Sequence, residues 1–402
     1  MKLPSASLVF RAPPMENCMR ATRSRIVNPL LVAASVAVAG PAWSQDEDVE
    51  QKGSKGIGNI TLYGAVDMGV EAVSGRSPTT NGQQDTSFRA SNGISTPHFG
   101  FRGSEDLGGG LRVAFNLENS FAPDTGALGH GGRLFGRQAW VSLSGRFGTV
   151  RLGRQYTMFR YGFEDANPFG YGNHGLRLVD ERISNPRVDN SVSYLGKWGP
   201  VSAGANYSFG RDALAGNSTV ATNCPGEAAD KKPCREWSLY TRYAVGSWAV
   251  ATAYERLYGG TAATFGGLTS PDRTDTRFVL AGYWNVTGGT KLAAGWIKRN
   301  NEGDVATPKS DMVWVQGVIP FGPYSMDGML ARLDFDNSPN KALMVNVRGR
   351  YFLSKRTTLY LTAAHIKNSG TLALRATGST PAIAPMPGGS QSSIIAGIQH
   401  SF

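Results

Sequence analysis

The chain has 402 residues, 51 of them glycine, with 18% charged residues and a formal net charge of +11, enough for two or three ordinary domains or one large all-β unit. Beyond the N-terminal region there is no run of about 18 apolar residues, which excludes a helical membrane-spanning bundle. No Lys/Arg block or aromatic-basic motif is present either, so nucleic acid is not an expected partner.

The first element is a targeting segment. Lys2, Arg11, Arg20, Arg23 and Arg25 precede the apolar run IVNPLLVAASVAVAG, and Pro41 and the triplet Ala42-Trp43-Ser44 follow it. Basic region, short apolar region and small-residue cleavage site, in that order, predict a secretory signal over residues 1–44, with Gln45 as the first mature residue. Met15 and Met19 are alternative starts, and a membrane anchor is the alternative reading of the apolar run. Removing residues 1–44 lowers the formal charge to about +7, so the exported chain stays basic and anionic solutes or lipopolysaccharide become the expected partners. Residues 45–58 read as a short polar segment.

From Ile60 onward one unit recurs: about ten residues alternating apolar and polar, then a turn. Leu62, Val66, Met68 and Val70 oppose Tyr63, Asp67 and Glu71. Leu111, Val113, Phe115 and Leu117 oppose Arg112, Asn116 and Glu118, and later Leu343, Val345, Val347 and Tyr351 oppose Asn346, Arg348 and Arg350. A period of two with one continuously apolar side is a β-strand facing two different media. Tight connections such as DLGGG (106–110), GRFG (145–148) and KWGP (197–200) alternate with long polar ones such as 74–84 and 371–390. That alternation predicts an all-β, up-and-down antiparallel transmembrane barrel over residues 59–402, of about sixteen strands. Their predicted starts lie near residues 59, 98, 111, 133, 148, 188, 201, 236, 248, 275, 290, 310, 325, 342, 357 and 392. In hydrocarbon an open sheet edge leaves N–H and C=O groups unpaired, so the first and last strands must meet. A soluble sandwich or propeller does not fit, because a ring of sixteen strands is too wide for side chains to fill. Trp237, Tyr243, Tyr258, Trp284, Trp296 and Tyr351 are candidates for interfacial girdles.

Two of the three cysteines, Cys224 and Cys234, close the polar segment CPGEAADKKPC, which reads as a disulfide-pinned loop over 224–234 in an exported protein. Metal binding is the alternative, with no nearby His to complete a site. The chain ends GIQHSF, where His400, Ile398, Ala396 and Ile394 share one face. The final strand is therefore expected to be a stave of the barrel. The five histidines, His98, His130, His174, His365 and His400, fall in no motif with a Ser nucleophile or metal spacing. The expectation is accordingly no enzyme, no cofactor and no metal.

RGSEDLGGGLRVAFNLENSF (102–121), LFGRQAWVSLSGRFGTVRLGRQY (134–156), VDNSVSYL (188–195), LSKRTTLYL (353–361) and the start NITLYGAVDMGV closely resemble the general porins of β-proteobacteria. The resemblance covers essentially the whole mature chain. It implies a sixteen-stranded homotrimer in the Gram-negative outer membrane, a passive water-filled channel for small hydrophilic solutes. It also implies that Ile398, His400 and Phe402 form the signal read by the barrel-assembly machinery, although Gln399 stands where family members often carry Arg. The apolar early strands near Leu62–Val70 and Leu111–Leu117 are candidate interface staves.

The longest connection, between Tyr156 and Arg187, corresponds in such porins to the loop that folds into the barrel and narrows it, with Pro168-Phe169-Gly170 near its tip. Glu164 and Asp165 are the candidate loop acids, with Asp180 and Glu181 as second choices. On the opposing wall, alternation places His98, Arg102, Arg112 and Arg151 toward the lumen, and the resemblance adds Arg137 and Arg187. Arg137 shares parity with Val141 and Leu143, so it needs a bulge or an end-of-strand position to point inward. Family members often carry Arg where this chain has His98, which implies a weaker, pH-dependent positive field. Arg89, Arg348 and Arg350 are further lumen candidates. Acids on the loop facing arginines on the wall would create a transverse field with mild anion preference. The alternative is a substrate-selective porin for a sugar, phosphate or organic anion.

Overall fold

The computed structural model describes residues 59–75, 86–216, 218, 220–226, 232–261, 263, 265–379 and 383–402. The expected signal (1–44) and the expected polar segment (45–58) lie outside the described residues. The strands are β1 (Asn59–Ser74), β2 (Ser87–Ser91), β3 (His98–Gly108), β4 (Leu111–Ser120), β5 (Gln138–Gly145), β6 (Gly148–Tyr156), β7 (Arg187–Trp198), β8 (Val201–Ser208), β9 (Glu236–Val245), β10 (Trp248–Tyr258), β11 (Thr274–Asn285), β12 (Lys291–Asn301), β13 (Lys309–Phe321), β14 (Tyr324–Phe335), β15 (Lys341–Phe352), β16 (Thr357–Ser369) and β17 (Ser390–Ser401). From β3 to β17 each strand pairs antiparallel with the next, β2 and β3 both pair with β1, and β1 also pairs with β17, so the sheet closes on itself.

Seventeen strands make sixteen staves, because β2 and β3 share one place beside β1. Residues Ser87–Ser91 pair with the end of β1 and His98–Ser104 with its start. The interruption between them is held by Asp67, whose carboxylate accepts N–H bonds from Gly93, Ile94 and Ser95 at 3.1, 2.8 and 2.6 Å and the Tyr360 hydroxyl at 2.5 Å. A buried carboxylate thus satisfies three backbone donors that no ladder serves. The sequence reading placed only the His98 half of this stave.

The remaining starts fall within three residues of expectation, with one exception. The strand expected from 133 begins at Gln138. The glycine-rich run before it forms a loop, in which Arg133 is bonded to Asp189 at 3.2 Å and to Asp212 at 2.5 Å.

The outward side is predominantly apolar in the band between turns and loops. On β13, for example, Val313, Val315, Ile319 and Phe321 are exposed, as lipid-facing residues are. No helix among the described residues is long and apolar enough to cross a membrane; the strands do the crossing. Tyr243, Trp284 and Tyr351 sit outward near the tight-turn end, while Trp237 packs on Tyr254 near the loop end and Trp296 on Phe278 higher up the wall.

The inward side departs from a uniformly polar lining. Val279, Ile297, Met312, Met344 and Ile366 all point inward and are buried. They form one hydrophobic core with Met158, Phe159, Phe163, Leu176 and Ile183 of the 157–186 connection. Alternation along β11 to β16 fails to mark a wet face because a segment of chain, not water, covers it.

Candidate functional site

The 157–186 connection starts with a short helix, α1 (Met158–Phe163), and continues through single-turn helices. Its Phe169 N–H donates to Gln316 at 2.8 Å, and its carbonyl accepts from Arg348 at 2.6 Å. Gln316 and Arg348 lie on β13 and β15, close to half the circumference away from β6, where the connection begins. Trp314 donates to the Ala166 carbonyl at 2.9 Å, and Asn346 to that of His174. His174 is buried between Thr362 (3.1 Å) and Ser393 (2.8 Å). At Gly172 a Cβ would collide with the Gly93 carbonyl oxygen, so only glycine permits this approach to the break between β2 and β3. The connection therefore lies against the inner wall from β8 round to β17.

Its return arm is held by charge. Asp180 accepts from Arg277 at 2.8 and 3.2 Å. Burial would raise its pKa, but Arg277 and Arg299 bring it down to about 2. Two residues on, Arg182 bonds Glu236 at 2.5 Å and Glu255 at 2.9 Å, and both carboxylates are wholly buried. Thr157, at the other end of the connection, donates to the same Glu255 at 2.6 Å. None of Arg182, Glu236 and Glu255 was singled out from sequence, because nothing in the strand pattern separates a lumen carboxylate that holds a loop from one that faces water.

The two loop acids singled out from sequence are both engaged. Glu164 pairs with Arg160 one helical turn earlier, at 2.5 and 3.0 Å, and Asp165 pairs with Arg242 of β9 at 2.7 Å. Each loop acid thus has an arginine partner, Arg160 on the connection itself for Glu164 and Arg242 on the wall for Asp165. Of the second choices, Asp180 is held as described and Glu181 is exposed.

The wall residues divide into two groups. Arg102, Arg112 and Arg151 line a cavity of about 570 Å³ that also carries Arg146 and Lys197 beside the tight turns. Among the described residues that line it there is no carboxylate. Arg102 lies over the Tyr63 ring at 4.9 Å, Arg112 donates to Ser104 at 2.5 Å, and Arg151 covers the Trp140 ring at 4.0 Å. The second group is buried. Arg187 donates to the Tyr156 hydroxyl at 2.6 Å, Arg137 bonds Glu118, and Arg160 stacks on Tyr156 at 3.8 Å. Arg137 points inward because it precedes β5, where strand parity does not bind it. Arg160 went unremarked in the sequence; its place on the connection, just after the last residues of β6, gave no hint of it.

His98 occupies an inward position on β3, its Nδ1 2.8 Å from the Thr96 carbonyl oxygen. Arg89 pairs with Glu71 at 2.9 Å, and Arg348 and Arg350 both pair with Asp327 at 2.6 and 2.9 Å. Cys224 and Cys234 are joined by a disulfide. At the C-terminus, His400 lies 2.9 Å from the Thr357 hydroxyl and Ile398 is exposed outward. Phe402 exchanges two backbone hydrogen bonds with Gly64, each of 3.0 Å. No cluster of His, Cys, Asp and Glu among the described residues could hold a metal ion.

A closed sheet of sixteen staves, apolar without and carrying a charged, partly open lumen within, is the wall of a membrane channel. The profile of the Gram-negative porin family matches residues 31–371, and the chain belongs to that family. It is 29% identical over 390 residues to outer membrane porin protein 32 of Delftia acidovorans, covering 93% of this chain and 99% of that one. With an outer membrane porin protein of Bordetella pertussis it shares 27% over 352 residues, 77% of this chain and 89% of the other. Among solved structures, the anion-selective porin from Comamonas acidovorans superposes with a TM-score of 0.69 at 28% identity, covering 86% of this chain and all of that one. The chain is thus a porin of the Gram-negative outer membrane.

Proposed function

We propose that the protein is a passive diffusion channel for small hydrophilic solutes that favours anions. The supporting observation is the cavity lining: Arg102, Arg112, Arg146, Arg151 and Lys197, with no carboxylate among the described lining residues, while Glu164 and Asp165 are each matched by an arginine of their own. Such a lining lowers the barrier to anions relative to cations. The 157–186 connection serves as the constriction, since it occupies the lumen against β8 to β17 and leaves the β3 to β8 side open. The similarity to a solved anion-selective porin supports the same preference.

The working unit is a homotrimer. Outward-facing Trp and Tyr residues at the tight-turn end, among them Tyr194, Trp198, Tyr243, Trp248, Trp284, Tyr324 and Tyr351, fall on β7 to β15. The outer face of β1 to β6 instead offers aliphatic and Phe side chains such as Leu62, Val66, Phe101 and Val141, which suits subunit contact better than a lipid interface. Residues 1–44 are removed on export, Ile398, His400 and Phe402 are read by the barrel-assembly machinery, and lipid with lipopolysaccharide surrounds the trimer.

Single-channel recording in a planar bilayer under a KCl gradient tests this reading. Openings in three steps with a reversal potential favouring chloride are expected, and current linear in solute concentration distinguishes general diffusion from a substrate-selective pore. A potential favouring potassium overturns the anion preference.

A further inference from the structure

We propose that the cavity at the tight-turn end of the lumen is a binding site for aromatic anions, meaning a flat ring that carries carboxylate or sulfonate groups. The inference rests on the lumen being a conducting pore and assigns that pore a ligand class. Strand register sets the geometry. Arg102, Asn116 and Trp140 occupy one rung across β3, β4 and β5. The adjacent rung toward the turns is Ser104, Ala114, Ser142 and Arg151. With neighbouring strands about 4.8 Å apart, Arg102 and Trp140 stand roughly 10 Å apart, above a floor of small side chains.

What Trp140 contributes follows from its bonding. Its indole N–H already donates to Gln138 at 2.8 Å, so the half-buried ring offers the cavity apolar surface and not a hydrogen bond. Arg151 is stacked on that ring at 4.0 Å and also donates to the Tyr161 hydroxyl at 3.2 Å, which fixes both side chains. A small inorganic anion would satisfy the guanidinium groups and leave the indole idle. A neutral ring would do the reverse and make no use of the basic lining. Only a solute with both features uses the whole site: its ring against Trp140, its acid groups on Arg102 and Arg112.

The test uses two acids of equal charge and carboxylate spacing, benzene-1,3,5-tricarboxylate and cyclohexane-1,3,5-tricarboxylate, added at the tight-turn side of channels carrying chloride current in a bilayer. Block is normalised to each variant's own open current. Half-block by the aromatic acid is expected at a concentration roughly two- to tenfold lower, the range an aromatic contact supplies. In Trp140→Leu the ratio should fall to one, in Trp140→Phe it should largely survive, and in the Arg102→Gln, Arg112→Gln double variant both acids should weaken together. Equal block by the two acids in the unaltered channel overturns the proposal, as does a ratio that persists in Trp140→Leu. Should the leucine variant fail to insert, the unaltered channel and the arginine double variant decide. Absence of chloride current before any acid is added overturns instead the channel reading beneath it.

Discussion

The ring of Phe402 lies where a side chain at Gly64 would stand. A Cβ on Gly64 would fall 2.7 Å from the Phe402 ring and 2.5 Å from the His98 carbonyl oxygen, while the two backbones exchange hydrogen bonds at 3.0 Å in both directions. Gly64→Val is therefore expected to displace the terminal ring or open the pairing beside it. Overpacking of this kind costs about 1–3 kcal/mol. Heat-modifiability on a gel reports it: the folded band of the variant should be lost at a lower temperature than that of the unaltered protein. An unchanged transition would mean the ring can move aside freely.

Arg182 is bonded to two wholly buried carboxylates. Arg182→Ala leaves Glu236 and Glu255 without that charge, and breaking one side of a buried ion pair typically costs about 3–5 kcal/mol. The expected result is faster proteolysis within 157–186 and noisier single-channel current. Adding Glu255→Gln to Arg182→Ala should restore part of the resistance by removing one of the orphaned charges. If the double variant is no better than the single, the arginine acts through packing alone.

His174 gives the connection a pH dependence of known sign. Burial, aided by Arg348, lowers its pKa from 6.5 to about 3, so the ring is neutral where it sits between Thr362 and Ser393. A base with a depressed folded pKa contributes its full stability above about 6.5 and loses it progressively as pH falls toward 3, because the released state takes up a proton there. Acid should therefore loosen the connection through this window, seen as rising protease sensitivity or current fluctuation below about pH 6. His174→Asn should flatten the dependence. Asp180, held to about 2, does not contribute until the pH falls below roughly 4.

The Cys224–Cys234 bridge spans a sequence separation of 10. Closing so short a loop restricts the unfolded chain by about 2–3 kcal/mol in the entropic account, and the bridge lies outside the barrel strands. Reduction, or replacement of both cysteines by serine, should leave the barrel intact on a gel while exposing residues near the bridge to protease. Loss of the folded band would show that the loop supports the wall.

The wall was legible in the sequence because lipid on one side and water on the other impose a period of two on each strand. That rule located the inward Arg102, Arg112 and Arg151 without further information. It failed in three identifiable places. Ser87–Ser91 was missed because the second stave is broken, and its break is bridged by Asp67, a residue distant in sequence. The apolar inward side chains of Met312, Met344 and Ile366 were not anticipated, because their inner partner is the 157–186 connection. Glu164 and Asp165 were found as acids, but their partners Arg160 and Arg242 depend on how that connection lies in three dimensions, which no spacing along the chain encodes.

The seam between β1 and β17 bears on how the protein is made. Ala65 pairs with Ser401, and Val66 with His400, so the first stave waits for the last before either has a complete set of bonds. A sheet whose ends have not met carries two open edges whose backbone groups lipid cannot satisfy. Closure of the wall is thus a strongly non-local pairing, the kind of contact that forms slowly. An abbreviated chain would forfeit the closing step itself and not merely a fraction of the wall's stability.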